Sequence, residues 1–354
     1  MLSRLLARPR LLHSGALTHA TLNQAESLPA LNLYTNNKVL SSITSSLSSD
    51  LQSHLTHWGG EFGSQEAHSH AALANANPPQ LQTHTANGHR LDQVLYSPSY
   101  HQLMSLGVSS GVTNLHLSKS PGSHIARGAL MYMLNQVDPG VCCPIVMTFA
   151  AFHPIANSKG LKTSLRDSMV KKLRSGVYDG RNVPMEEKEG ITVGMSMTEK
   201  QGGSDVRANS TVARKVEGEE MYEITGHKWF TSAPNSDAFL TLAKVDGKVS
   251  CFVVPRFVDG VKNEGLQFQR LKEKLGDKSN ASSEVEVSGS GKGERQRRAA
   301  KAKASATVCG ASRSHMYVVV HTCHVCGAVP RSTRILDRLG WARRARHNRN
   351  GAPY

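Results

Sequence analysis

Apolar residues recur at helical spacing through the first half of this chain and give way to short strand-like runs in the second. Leu40, Ile43, Leu47, Leu51 and Leu55 mark one face of a helical stretch, and Gly59-Gly60 supplies a stop. A small-residue helix from about Ser64 to Asn75 ends before Pro78-Pro79, and Asn87-Gly88 signals a turn. Ser120-Pro121 reads as an N-cap with proline in the first helical position, opening a helix through Ile125, Ala129 and Met133. Asp138-Pro139-Gly140 closes that helix, and Pro144 opens another apolar segment through Phe149 and Phe152. Everything to about residue 180 therefore reads as α-helical.

The period changes near Ile191. Strand-like runs are expected at 191–197, 210–216, 220–225, 238–245, 248–254 and 265–271, with Asp246-Gly247 as a two-residue hairpin turn. Short strands at this spacing suggest a compact β-barrel or sandwich. At Val287 the character breaks again, into Ser-Gly-Ser-Gly, a basic Arg/Lys/Ala run, a Cys/His stretch and an Arg-rich end. The expected organisation is a helical domain over 23–188, a β domain over 189–286 and a basic, poorly packed tail over 287–354.

Charge sharpens that boundary. The formal net charge of +15 suggests a polyanion partner until it is mapped: of 42 Lys/Arg and 27 Asp/Glu, 14 and 2 fall in residues 287–354, leaving 28 and 25 before them. The folded part is nearly neutral and gives no electrostatic reason to expect nucleic acid beyond non-specific contacts of the tail. Six cysteines in 354 residues, two of them adjacent, do not form a disulfide framework. No apolar run approaches the roughly 18–20 residues that span a membrane. The first 22 residues carry Arg4, Arg8 and Arg10 with Leu, Ala and Ser and no acid, the composition of a mitochondrial presequence; a frayed basic terminus is the alternative.

The chemistry concentrates in Met195–Val206, MSMTEKQGGSDV, and in Gly226-His227-Lys228-Trp229-Phe230-Thr231-Ser232. The first block feeds a strand into a Gly202-Gly203-Ser204-Asp205 turn, where glycine permits positive φ and close backbone approach to a ligand. A β-branched residue at Gly203 is expected to abolish binding there. The second block offers an aromatic face followed by hydroxyls, which is what a large flat cofactor needs. Together the blocks resemble the FAD-binding middle domain of acyl-CoA dehydrogenases, in the branch of the alkylation-response protein AidB. TEKQGGSDV is nearer that branch than the TEPxAGSD of mainstream fatty-acid enzymes. Further agreement lies in Ala74-Asn75-Ala76-Asn77-Pro78-Pro79, Arg90-Leu91-Asp92, Cys143 to Phe149, Phe252 to Arg256 and Leu271 to Glu286.

The resemblance spans roughly residues 23–286. It implies an α+β fold, an N-terminal α-helical domain followed by a small antiparallel β-barrel, with FAD as cofactor. Met195, Ser196, Met197, Thr198, Glu199, Lys200, Gln201, Gly202, Gly203 and Ser204 would line the flavin, with Trp229, Phe230 and Thr231 on its other side. Thr198 and Ser204 would also face the acyl-CoA substrate. Ser196 stands where the branch usually has glycine, and Phe230 has core packing as its alternative. The implied activity is oxidation of a CH–CH group of an acyl-CoA, but the family's catalytic glutamate and its oligomer contacts lie in a C-terminal helical domain. Nothing after Glu286 matches that domain. Glu199 is expected to be structural, so no catalytic residue is assigned and the chain is expected to be catalytically incomplete. Val287-Ser288 could be encoded by GTGAGT, an intron start, which makes the tail a translated intron or a frame-shifted product on this reading. The competing functions are a nucleic-acid-associating protein of the DNA-damage-response type and an inactive mis-spliced product. His321, Cys323, His324 and Cys326 form too crowded a cluster for a zinc module, and Gly291-Lys292-Gly293 is no P-loop. No metal is expected.

Overall fold

In the computed structural model the residues described are 23, 28–118, 120–217 and 221–288, together with the backbone of 303–309. The helical part contains α1 (Lys38–Ile43), α2 (Ser49–Phe62), α3 (Gln65–Ala76), a hairpin of β1 (Gln80–His84) and β2 (Arg90–Leu95), α4 (Pro98–Ser109), α5 (Ser123–Val137), α6 (Pro139–Ala156) and α7 (Thr163–Arg174). Side-chain oxygens begin several of these helices: Ser64 accepts from the Ala67 amide, Ser97 caps α4 ahead of Pro98, and Asp138 accepts from the Gly140 amide at 2.7 Å. Leu55, Phe62, Leu103, Leu130, Met133, Leu134 and Ile145 are fully buried between the helices.

Several boundaries differ from the sequence expectation. Gly59-Gly60 does not stop α2, which runs to Phe62. A Cβ at Gly59 would lie 2.6 Å from the Cβ of Tyr34, so this glycine admits the crossing segment 32–34 rather than ending a helix. The helix expected from Ser120 begins at Ser123, with Gly122 in the left-handed region at φ 84° as its cap. Asp138 ends α5 and also caps α6, so Asp138-Pro139-Gly140 opens a helix as well as closing one. Pro144 lies inside α6, where it removes one i→i−4 hydrogen bond without breaking the helix. That helix is 18 residues long with mean hydropathy 1.5, long and apolar enough to cross a membrane by length and composition. Here Val141, Ile145, Met147 and Ile155 are buried, and it forms the central helix of the protein core. The hairpin β1–β2 interrupts a region expected to be all helical, and Asn87-Gly88 is its turn.

The β part comprises β3 (Val193–Ser196), β4 (Val212–Lys215), β5 (Met221–Ser232), β6 (Ala238–Val245), β7 (Lys248–Pro255), the short pair β8 (Phe257–Val258) and β9 (Val261–Lys262), β10 (Leu266–Leu271), β11 (Ser282–Val287) and β12 (Lys303–Cys309). The main sheet runs β10-β11-β5-β12-β7-β6-β3, and it closes because β3 also pairs with β5. Most pairings are antiparallel, but β3 and β4 each run parallel to β6, so the barrel is mixed. Asp246 and Gly247 both take positive φ, 49° and 76°, as the two-residue hairpin requires. The expected run at 220–225 continues to Ser232, which puts Trp229 on a strand.

Within the segment expected to be a basic, poorly packed tail, residues 303–309 form a strand that pairs with β5 and β7. The rest of that segment beyond Ser288, with its Cys/His cluster and Gly291-Lys292-Gly293, and the presequence reading of residues 1–22 lie outside the described residues. The helical and β parts are joined by a second apolar cluster in which Met147, Phe152, Met169 and Leu173 meet Val193, Met195, Met197 and Leu240. Polar bonds fix the joint. Thr148 Oγ1 accepts from the Val193 amide at 3.1 Å, and Ser279 Oγ donates to Asp138 Oδ1 at 2.9 Å.

Candidate functional site

Strand β3 delivers Met195 and Ser196 between β5 and β6, in register with Ser232 and Thr231 of β5. The hydroxyls of Ser196 and Thr231 lie 2.6 Å apart and both residues are buried. Beyond β3 the chain turns away, and the Thr198 carbonyl accepts from the Trp229 amide at 2.8 Å. The two sequence blocks, some thirty residues apart, are thus one surface. Met195 and Met197 point their side chains into the core that joins the two parts, so only their backbone is left to face a ligand.

Glu199 holds the loop in place. Its carboxylate is buried and accepts from the Ser210 amide (2.6 Å) and hydroxyl (2.9 Å), the Thr211 amide (3.0 Å) and hydroxyl (2.5 Å), and the Lys228 ammonium (2.9 Å). Burial alone would push this carboxyl up. The Thr211 hydroxyl, the two amides and Lys228 outweigh it and hold the pKa at about 2. Lys228 is itself fully buried, and burial lowers its pKa against the opposing pull of Glu199. Asn209, also fully buried, donates to the Met197 carbonyl at 2.9 Å, and Gln201 donates to Asn209 Oδ1 and to the Asp205 carbonyl. The turn itself is made at Gly202, with φ 125° and its amide on the Glu199 carbonyl at 3.0 Å. Positive φ therefore falls on Gly202 rather than Gly203, and the substitution that tests the turn moves with it.

On the other block, Trp229 is half-buried and Phe230 is 44 % exposed, which removes core packing as the account of Phe230. The indole carries a set of cations that sequence reasoning missed. The Lys272 ammonium lies 2.8 Å from the ring centroid, Arg270 at 5.2 Å and Lys200 at 5.4 Å. Lys272 Nζ is buried with no hydrogen-bond partner among the described residues. Beside it Glu284 pairs with Arg270 (2.7 Å), His227 (2.8 Å) and Lys200 (3.0 Å). Burial would raise the Glu284 carboxyl, but Arg270, Lys200 and His227 bring it down to about 2. Arg270 of β10 pairs with Glu284 of β11 just past a register shift, and β11 pairs with β5 through His227, while Lys272 follows β10 and Lys200 comes from the loop after β3. Their spacing within LQFQRLKEK and SSEVEV was the available signal. Ser204 and Lys200 are exposed on the loop, and Gly203 is half-buried.

This wall and its glycine turn sit on a mixed barrel packed against a helical part, and comparison with known proteins gives the family. Residues 194–289 match the acyl-CoA dehydrogenase middle domain, and the chain belongs to that family. Residues 23–180 match the adaptive response protein AidB N-terminal domain, which places the chain in the AidB-like branch. It is 40 % identical over 271 residues to the putative acyl-CoA dehydrogenase AidB of Escherichia coli, covering 76 % of this chain and 49 % of that protein. It is 29 % identical over 228 residues to acyl-CoA dehydrogenase family member 11 of Caenorhabditis elegans, 60 % of this chain and 35 % of that one. The chain thus spans half or less of these relatives' lengths. Among solved structures, C. elegans ACDH-11 in complex with C11-CoA superposes with a TM-score of 0.70 at 24 % identity, over 88 % of this chain and 52 % of its own. Butyryl-CoA dehydrogenase of Megasphaera elsdenii gives 0.53 at 16 % identity, over 79 % and 64 %. Both show the same fold.

Proposed function

We propose that residues 195–204 and 229–231 form one wall of an FAD site, and that the chain is by descent an FAD-dependent oxidoreductase acting on a CH–CH group of an acyl-CoA. The observation that carries this reading is the half-buried Trp229 and exposed Phe230 beside the Lys272 ammonium, which lacks a hydrogen-bond acceptor among the described residues. A flat ring system with acceptor atoms at its rim fits both: the indole takes the ring and the ammonium gains its missing acceptor. FAD, when bound, supplies the acceptor for a hydride. The chain's own residues do the positioning. The buried, mutually bonded hydroxyls of Ser196 and Thr231 back the wall, with Thr198 buried beside them, Gly202 sets the turn, and Trp229 would exclude water from one face. Lys272 must leave the indole face for a ring to stack there. The solved complex of ACDH-11 with C11-CoA supports an acyl-CoA as the substrate class. Ser204, exposed on the loop, stands for the thioester side.

Proton removal is the missing half. A general base must reach the proton it takes and sit at a suitable pKa. Glu199 accepts five hydrogen bonds inside the barrel and is held at about 2, so it does not serve. We therefore read this chain as catalytically incomplete, with no general base assigned among the described residues. A dye-linked assay with added FAD across short, branched and long acyl-CoAs tests this. Little or no turnover is expected, and robust turnover abolished by Glu199→Gln in a folded protein would refute it.

A further inference from the structure

A second constellation lies in the helical part. The 3-10 turn Leu115–Leu117, the start of α5, and the ends of α6 and α7 surround a cleft of about 520 Å³. Its lining includes His116, His124, His153 and Arg174, with the serines 118 and 120, and, among the described residues, no carboxylate. His116 sits at the centre. Its ring centroid is 5.5 Å from those of His124 and His153, and it packs edge-on to Phe149 at 4.5 Å. It is only 6 % exposed, yet neither ring nitrogen has a hydrogen-bond partner among the described residues. A buried imidazole normally satisfies at least its N–H, so this one awaits an acceptor. Arg127 stands behind it, with its guanidinium 3.4 Å over the Phe149 ring and its Nε donating to the Val112 carbonyl at 2.9 Å. Arg174 lies over Phe152 at 5.2 Å.

We propose that this cleft binds a phosphate-type oxyanion carried on a small molecule, with His116 donating to it and Arg174, His124 and His153 surrounding it. An oxyanion brings the acceptor that His116 lacks and offsets the positive charge of the two arginines. A volume of this size holds more than the anion, so the group is the anchor of a larger ligand. A metal ion is the other species that three imidazoles suggest. The arginines oppose it, and among the described residues no metal-holding set of His, Cys, Asp or Glu is formed. Burial, then the neighbouring His153, Arg127 and His124, depress the His116 pKa to about 4. A bound anion reverses that pressure, so binding takes up a proton and strengthens as pH falls.

The test is independent of the aromatic wall. Sulfate keeps its charge between pH 8 and pH 6, and serves as the probe on the full chain in titration calorimetry, with histidine ring signals followed by NMR. Saturable binding that shifts the His116 ring and tightens at the lower pH is expected. His116→Gln and Arg174→Gln should each weaken it about tenfold, the equivalent of one charge-assisted hydrogen bond. Arg174 is exposed, so its variant folds even if His116→Gln does not. No saturable binding by the parent chain, unchanged affinity in Arg174→Gln, or zinc occupying the three rings to the exclusion of sulfate would each overturn the proposal.

Discussion

Leu55, Phe62, Leu103, Leu130 and Ile145 fill the helical part with hydrocarbon, whereas the barrel, beside its own apolar cluster of Phe239, Phe252, Val254 and Val285, also buries the charged Glu199, Lys228, Asp237 and Arg256, with Lys188 just ahead of β3. Lys188 reaches Asp237 Oδ1 at 2.6 Å, Thr192 donates to its other oxygen at 2.9 Å, and Arg256 donates to the carbonyl of Asn235 and the side chain of Asn182. Apolar burial is non-directional and tolerates small shifts, while a buried ion pair with all its hydrogen bonds made allows one geometry. The barrel thus fixes β3, the loop after it and β5 relative to one another, which is what a cofactor wall requires. The contrast predicts that single polar changes in the barrel cost as much as large cavities among the helices.

The largest loss is expected from Glu199→Gln, which strands the Lys228 ammonium. Breaking a buried pair in this way costs about 3–5 kcal/mol, measurable as a fall in denaturant midpoint at neutral pH. Lys228→Met should cost less, because the Glu199 carboxylate keeps four other donors. Equal costs would mean that the two residues do not act as a network. Leu130→Ala, in the hydrocarbon half, should cost about 2–5 kcal/mol by cavity formation and leave any flavin affinity unchanged in the folded fraction.

Acid should act on the barrel first. Glu199 and Glu284 are both held at about 2, below their ordinary 4.5. A depressed folded pKa gives stability that is complete above about 4.5 and lost as pH falls toward 2. Denaturant midpoints measured across that window should decline, and the decline should be shallower in Glu199→Gln. A pH-independent midpoint between 5 and 3 would contradict the assignment of these carboxylates.

Gly202→Val comes next, at about 1–3 kcal/mol, from backbone strain alone. Nothing lies within 4 Å of a Cβ placed there, so φ 125° is the whole obstacle. The smallest effect on stability is expected at Phe230, where an exposed side chain can become serine within about 0.5 kcal/mol while flavin affinity drops.

The same contrast explains what was legible in the sequence. Helix α2 was readable from Leu51 and Leu55 at helical spacing and α3 as a small-residue run ahead of Pro78-Pro79, although the single stretch expected from Leu40 breaks at 44–48 between α1 and α2 and leaves Ile43 exposed. Strands β6 and β7 were readable from Asp246-Gly247 between two apolar runs. The glycine turn and the aromatic block were recognisable as wording. Three kinds of feature were not. Pro144 inside α6 defeats a local breaker rule because the buried face around it outweighs one lost hydrogen bond. The hairpin β1–β2 is mostly polar in sequence and carries no alternating apolar signal. The cations Arg270 and Lys272 meet Trp229 only through the register of β10, β11 and β5, which no window of adjacent residues contains.

The central claim, that the polar barrel presents Trp229 as a flavin wall, is tested most directly by equilibrium titration of FAD into the full chain with flavin fluorescence as the signal. Saturable quenching is predicted for the parent protein, strongly weakened in Trp229→Leu and in Gly202→Val and unchanged in Leu130→Ala. Binding that is indifferent to Trp229, or no binding by the parent chain at any attainable FAD concentration, would contradict it.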